Sequence, residues 1–366
     1  MEKYRFIIVG SGWRSLYYVR IAKALPQHFE LCAMLCRTQE KADKMASENG
    51  IYTTTSVEEC VGMKPDFVVV VVNKASIADV SKEWMARGVT VLCETPASLE
   101  LTTLKELWAL KEQGGKLSVA EQYTRYPIYQ ALLKILDRGL IGDPYAAVVS
   151  LAHEYHGASL IRAFLKEGMT PFQVMGKTYS FPTAETMSRY EQFTDGRLAD
   201  KKRTAAVFEF ADGKVVFYDF DSEQYRSPIR HNYVNVRGAR GELRDESFFY
   251  LDDRNLPTGG TLVVSRRGIT VPEENNPNLC QIEEITGITY QGEDVYTPPF
   301  GLCGLPSDET AIAQIMFDTG AYARGEKKLD YSLENALQDA YMAILLQQAT
   351  ISGQTIKSEE QPWHQQ

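Results

Sequence analysis

Through the first third of the chain, short apolar runs alternate with longer stretches whose apolar residues fall at helical spacing. Tyr4 to Val9 is a β-rich run closed by Gly10-Ser11-Gly12. Arg14 to Leu25 then carries Leu16, Val19, Ala22 and Leu25 on one helical face. "FELCAMLCR" reads as a second strand and "TQEKADKMASENG" as a charged helix ending at Gly50. "PDFVVVVVN" is almost continuously apolar, as a parallel strand covered on both faces should be. Its helix, "KASIADVSKEWMARG", closes at Gly88; "VTVLCE", the helix "LELTTLKELWALKEQGG" and the strand "KLSVAEQ" follow. Strands alternating with helices predict a doubly wound parallel sheet, with its ligand at the carboxyl ends of the strands.

After Pro127 the rhythm changes. A helix "IYQALLKILDRG" and a turn from Gly139 to Asp143 lead into a strand, "PYAAVVSLAHEY". "TAAVFEFADGKVVFYDFD" alternates on both arms around Asp212-Gly213 and predicts a hairpin. "NYVNVRGARGELRDE" and "GTLVVSRRGITV" add strands, which makes this region a largely antiparallel open sheet. Two helices close the chain, with Ser307 and Thr310, then Ser332 and Asn335, near their starts and Gly353 at the end of the second. The polar tail "QTIKSEEQPWHQQ" reads as loosely held. The fold class is therefore α/β in two parts: residues 1–123, and an α/β domain over 124–366 whose closing helices pack back on the first.

Composition excludes several roles. The 366 residues carry a net charge of -9, and an acidic chain repels a phosphate backbone. Lys201-Lys202-Arg203 and Arg266-Arg267 read as solvated loop charge, so no nucleic-acid partner is expected. No apolar run reaches the roughly 18 residues of a membrane span, and the opening "MEKYRFIIVG" enters a strand at once. Cys32, Cys36, Cys60, Cys93, Cys280 and Cys303 form no Cys-x-x-Cys pair. They read as reduced thiols of a cytoplasmic protein.

The first turn carries the clearest chemistry. Gly10 and Gly12 stand as the first two glycines of a dinucleotide fingerprint, with Ser15 in place of the third. Such glycines let the backbone approach a pyrophosphate at a helix N-terminus. The cofactor set is Gly10, Gly12, Trp13 and Arg14 at this turn, Arg37, Asn73 and Glu94 at the next strand ends, and Gln122 beside the expected nicotinamide. The second strand ends in Cys36-Arg37-Thr38, with no acid before Glu40. That favours NADP(H), whose 2'-phosphate suits Arg37, with Arg14 as a second positive charge nearby. Alternatively, Arg37 packs its guanidinium plane along the adenine.

"IIVGSGWRS", "VVVVVNKASIADVSKEWMARGVTVLCETP", "VRGARGEL" and "YSLENALQDAYMAILLQQATISGQTI" together resemble the glucose-fructose oxidoreductase / inositol dehydrogenase / MocA (Gfo/Idh/MocA) family over nearly the whole chain. The resemblance implies a Rossmann domain, an α/β substrate domain and NAD(P)-linked redox chemistry on sugars, polyols and related carbonyl or hydroxyl compounds. It also implies homo-oligomers built on the second sheet. The family usually writes Glu-Lys-Pro where this chain has Glu94-Thr95-Pro96, so the charge that would steady an alkoxide is missing. It usually writes Asp-x-Gly-x-His-x-x-Asp in the second domain. Aligned on Gly157, this chain has Tyr155, Ser159 and Arg162 at those positions.

Substitutes crowd the same stretch. His156 or Tyr155 can handle a proton, while Thr95, Ser159 and Arg162 position an oxygen. His153 reads more readily as structural, and on a strand it faces away from His156, which argues against a metal site. The tyrosines of "EQYTRYPIY" and the aromatics of "SFFYLDD" can stack on a ring or simply pack. The reading is an NAD(P)-dependent oxidoreductase acting on a small polar substrate, with a non-standard proton relay. Two alternatives stay open: a redox-neutral sugar-modifying enzyme that retains its cofactor, and a non-catalytic NADP-binding sensor or subunit.

Overall fold

A computed structural model of the chain describes residues 2–188, 191–270 and 282–364, so Cys280 lies outside the described residues. The chain divides into two compact units. One runs to Arg125 and takes in Asp308–Ala340; the other holds Tyr126–Ser307 and Tyr341–His364.

The first unit is built on six parallel strands. They are β1 (Tyr4–Val9), β2 (Phe29–Leu35), β3 (Thr53–Thr54), β4 (Phe67–Val70), β5 (Thr90–Cys93) and β6 (Leu117–Val119), in the order β3-β2-β1-β4-β5-β6. The helices between them are α1 (Ser15–Ala24), α2 (Gln39–Asn49), α3 (Val57–Gly62), α4 (Ile77–Ala86) and α5 (Leu101–Glu112). Every residue of β4 and β5 is buried, which is why their sequences, Thr90 apart, are apolar without alternation. The two residues of β3 and the six of α3 are too short for periodicity to reveal.

The second unit begins with α6 (Pro127–Leu136), β7 (Pro144–Ser150) and α7 (Glu154–Leu165). Then come β8 (Phe172–Ala184), β9 (Leu198–Phe210), β10 (Val215–Asp221), β11 (Tyr233–Gly238), β12 (Gly241–Arg244), β13 (Ser247–Leu251), β14 (Pro257–Ile269), β15 (Ile282–Tyr290) and β16 (Glu293–Tyr296). With the late β17 (Ile356–Lys357) they form one sheet, β16-β15-β14-β13-β12-β11-β7-β10-β9-β8-β17. Among the described residues of this sheet only β7 and β10 pair parallel; the other pairings are antiparallel. Thus the open, largely antiparallel sheet holds, and the Asp212-Gly213 hairpin forms, with Gly213 at φ +91°.

Two closing helices, α8 (Ser307–Ala323) and α9 (Leu333–Ser352), complete the chain. In the first unit, buried Glu309 of α8 pairs with Arg20, and Tyr4 meets Phe317 edge-on at 5.2 Å.

Two expectations are corrected. The apolar run after Asp143 stays extended only to Ser150, and residues from Glu154 are helical, so "AHEY" is a strand-to-helix turn. The tail is also not loose. Ile356 and Lys357 extend the sheet, Ser358 Oγ accepts the Phe172 amide at 2.8 Å, and Trp363 is buried against Tyr341. One tryptophan among polar neighbours carries no periodicity, so the anchor is invisible to pattern.

Candidate active site

The predicted site residues fall into two clusters, one in each unit. In the first unit, β1 ends at Gly10, whose φ of +119° and close approach to Val71 require glycine. A Cβ there would lie 2.1 Å from the Val71 carbonyl oxygen. At Gly12, by contrast, a Cβ would meet nothing within 4 Å, so this face of the turn is open. Ser15 Oγ donates to the Gly12 carbonyl at 2.5 Å, which ties the turn to α1. No side chain caps the start of α1, so its positive end is available to an anion.

Next to Gly12 lies a groove of about 170 Å³ lined by Ser11, Trp13, Leu16, Lys41, Lys44 and Met45, among others. Arg37 is exposed at the end of β2. Lys41 and Lys44 were missed by motif reading. The available signal was two lysines in the helix that follows the second strand.

Arg14 is not a spare positive charge. Its Nε donates to Glu94 at 2.8 Å and its Nη1 to Asp308 at 2.9 Å, and the guanidinium lies over the Tyr17 ring. Burial works against the Arg14 charge, but Glu94 and Asp308 outweigh it and hold the group above the usual arginine range. Tyr18 also donates to Glu94, at 2.7 Å; burial, then the neighbouring carboxylate, raises its pKa well above the ordinary value. Glu94 therefore anchors the end of β5 to α1. Thr95 beside it is half-buried, joined to Pro96 by a cis peptide. Asn73 accepts from the Ser76 amide and hydroxyl, both at 3.1 Å, capping a short turn after β4. Gln122 is buried, and its Oε1 has no hydrogen-bond partner among the described residues. A buried orphan acceptor at a strand end fits a donor such as a carboxamide.

In the second unit the cluster forms where β7 turns into α7. Glu154 sits at φ +39°, an unusual conformation for a residue with a Cβ. Tyr218 of β10 braces it: its hydroxyl accepts the Glu154 amide and donates to the Ala152 carbonyl, each at 3.0 Å. Gly157 is needed below, because a Cβ would press within 2.7 Å of the Tyr218 ring. Burial raises the Tyr218 pKa far above the ordinary value.

His153 precedes α7, and its Nε2 lies 3.3 Å from the Tyr155 hydroxyl. The His153 and His156 rings are 5.0 Å apart, and Tyr155 meets His156 at 4.3 Å. The two histidines thus neighbour each other rather than pointing to opposite faces of a strand, and His156 lies in α7. Ser159 is buried and donates to the His156 carbonyl at 3.0 Å; Arg162, also buried, donates to the Gly168 carbonyl at 3.1 Å. The Ser159 bond stays within α7, and the Arg162 bond ties the helix to the segment that follows it.

A cavity of about 620 Å³ opens in the same unit. Tyr126 and Tyr129, stacked at 6.1 Å, line it with Leu151, His231, Asn232 and Phe249. Among the described residues no group of three or more His, Cys, Asp or Glu side chains is placed to hold a metal.

The pattern of the Gfo/Idh/MocA family, described as an oxidoreductase family with an NAD-binding Rossmann fold, matches residues 4–123. Over those residues the chain carries the Rossmann pattern of that family. The fold of the whole chain is similar to solved family-like structures. Levoglucosan dehydrogenase in complex with NADH and levoglucosan aligns at a TM-score of 0.67 and 15% identity, over 98% of this chain and 100% of the other. An oxidoreductase from Agrobacterium radiobacter, in complex with NAD+, L-tartaric acid and magnesium, aligns at 0.66 and 14%, over 97% and 98%. An NAD binding oxidoreductase from Klebsiella pneumoniae aligns at 0.66 and 15%, over 98% and 100%. No curated protein sequence matches the chain.

Proposed function

We propose that the chain is an NAD(P)-dependent oxidoreductase that moves a hydride between nicotinamide and a small, sugar- or polyol-like carbonyl or hydroxyl compound. The observation that carries the cofactor half is the open Gly12 turn at an uncapped helix start, together with the buried, unpartnered Gln122 Oε1. Gly10, Gly12 and Trp13 would hold the pyrophosphate end, and Gln122 the carboxamide. When bound, the nicotinamide supplies or takes the hydride. Glu94, held by Arg14 and Tyr18, keeps Thr95 in place to give one hydrogen bond to a reacting oxygen.

The proton is handled in the second unit by Tyr155, with His153 and His156 against it. Ser159 and Arg162 act by keeping α7 in place. The cavity lined by Tyr126 and Tyr129 supports binding of a ring with an apolar face, which those tyrosines can stack upon. NADP(H) is preferred over NAD(H): the end of β2 offers Arg37, and Lys41 and Lys44 add charge beside Gly12.

A homo-oligomer through the second sheet is supported by its register. Met175, Val207, Phe217 and Val148 lie in one row across β8, β9, β10 and β7, and Met175 and Phe217 are exposed. No helix among the described residues is long and apolar enough to cross a membrane. Five free thiols among the described residues fit a reducing cytoplasm.

Titration of purified protein with NADPH and NADH, after release of any copurified cofactor, tests the reading. Micromolar binding with NADPH ahead supports it; binding of neither, with none copurified, overturns it. Retained oxidised cofactor with no net NAD(P)H change on turnover would favour the redox-neutral alternative.

A further inference from the structure

We infer that Tyr225 sets the tautomer of His153 and so makes Tyr155 the group that passes the proton. The inference takes its purpose from the oxidoreductase reading, but its geometry stands without it.

His153 is enclosed by rings. Tyr155 and His156 each lie 5.0 Å away and Tyr225 5.7 Å away, all nearly perpendicular to it, and Phe220 lies at 6.3 Å. Such packing leaves the imidazole little rotational freedom. Tyr225 then contacts the residue twice. Its hydroxyl accepts the His153 amide at 3.1 Å and lies 2.5 Å from Nδ1. Two contacts from one oxygen clamp the side-chain torsion.

Tyr225 is itself anchored. It ends a short turn (Ser222–Tyr225) closed by a reciprocal capping box between Asp221 and Gln224. The Gln224 amide also donates to the Ser150 carbonyl at 3.2 Å and the His231 carbonyl at 2.7 Å. The turn is thereby tied to the end of β7 and to the wall of the cavity that His231 lines.

The proton positions follow. A phenol that accepts the backbone amide turns its own proton to a nearby acceptor, and Nδ1 is within reach. A neutral imidazole that accepts at Nδ1 carries its proton on Nε2. Nε2–H donates to the Tyr155 hydroxyl at 3.3 Å. Tyr155 then accepts from His153, and the proton it can pass on is its own. Tyr225 is a positioning residue; Tyr155 is the group assigned to substrate. A helix-turn histidine paired with a tyrosine two residues on says nothing about tautomer in sequence, because the deciding hydroxyl is 72 residues away.

The test is long-range 15N–1H correlation on the full chain, labelled at histidine, at about pH 8, where an ordinary histidine is neutral. With 5 histidines, His153→Gln assigns the signal. The expected wild-type pattern is a protonated Nε2 and a bare Nδ1. Tyr225→Phe removes the hydroxyl while keeping the ring packed on Phe220, 5.0 Å away. It should turn the His153 pattern into a tautomer mixture and leave the more distant histidine signals in place, which also verifies the fold. A protonated Nδ1 in the wild type, or an unchanged His153 pattern in Tyr225→Phe, overturns the inference. The NADPH titration decides the oxidoreductase reading separately: its failure removes the purpose of the relay but cannot alter the imidazole pattern.

Discussion

The chain makes two strand-to-helix turns of opposite construction. Between β1 and α1 the turn is made by backbone: Gly10 takes a positive φ, its amide donates to the Leu35 carbonyl at 3.0 Å, and no side chain caps the helix. Between β7 and α7 the turn is made by side chains. Glu154 holds its positive φ because Tyr218 binds both flanks of the turn, and Tyr225 clamps His153. The difference matters for chemistry. A backbone turn presents amides and a clear face, which suits an anionic cofactor. A side-chain turn gathers phenols and imidazoles within reach of one another, which suits proton transfer.

The comparison can be broken at its strongest point first. Gly10→Ala places a Cβ against the Val71 carbonyl in a backbone region that disfavours it, so the expected loss is about 3 kcal/mol or more. Denaturant unfolding measures it; a loss below 1 kcal/mol would mean that the turn relaxes and is not backbone-determined. Next is Tyr218→Phe, which orphans the Glu154 amide and the Ala152 carbonyl. We expect a loss of about 1–3 kcal/mol, read in the same way, with altered α7 exchange protection. A neutral result would show that the second turn holds its own shape.

A smaller effect is expected at the end of β2. Arg37→Ala should weaken NADPH about tenfold and leave NADH nearly unchanged, as loss of one charged phosphate contact would. Equal weakening of both would assign Arg37 to the adenine instead.

The smallest effect is a control on the outer sheet face. Asp219 neighbours Tyr218 but pairs with Arg203 and Tyr233. Burial pushes its pKa up, and those partners more than offset it, leaving it below the ordinary 3.8. Its contribution to stability is therefore present above that value and lost as pH falls through the depressed one. Asp219→Asn should flatten this acid limb by under about 1 kcal/mol, since Arg203 is half-exposed. Melting temperature against pH for both proteins checks it; a steeper acid loss in the variant would contradict the sign.

Much of the first unit was legible. Buried parallel strands are almost wholly apolar, their helices are amphipathic, and Gly10 stands where the turn takes a positive φ. Arg14 was not legible, because its partners Glu94 and Asp308 lie 80 and 294 residues away and turn a candidate phosphate ligand into a structural pair.

In the second unit the alternating strands and the Asp212-Gly213 hairpin were legible, but the end of β7 was not. Val148, Val149 and Leu151 continue a β-like run, and local propensity alone extends it through Tyr155. What stops it is Tyr218, from a strand paired alongside. The sequence by itself determined the periodic elements, the glycine turn and the residue types available for chemistry, because those depend on neighbours within a few positions. Only the tertiary structure decided which charges are neutralised, that the tail is anchored by Trp363, and that His153, Tyr155 and Tyr225 meet. Those outcomes depend on side chains brought together by tertiary packing, such as His153 and Tyr225, 72 residues apart, and no local pattern encodes such contacts.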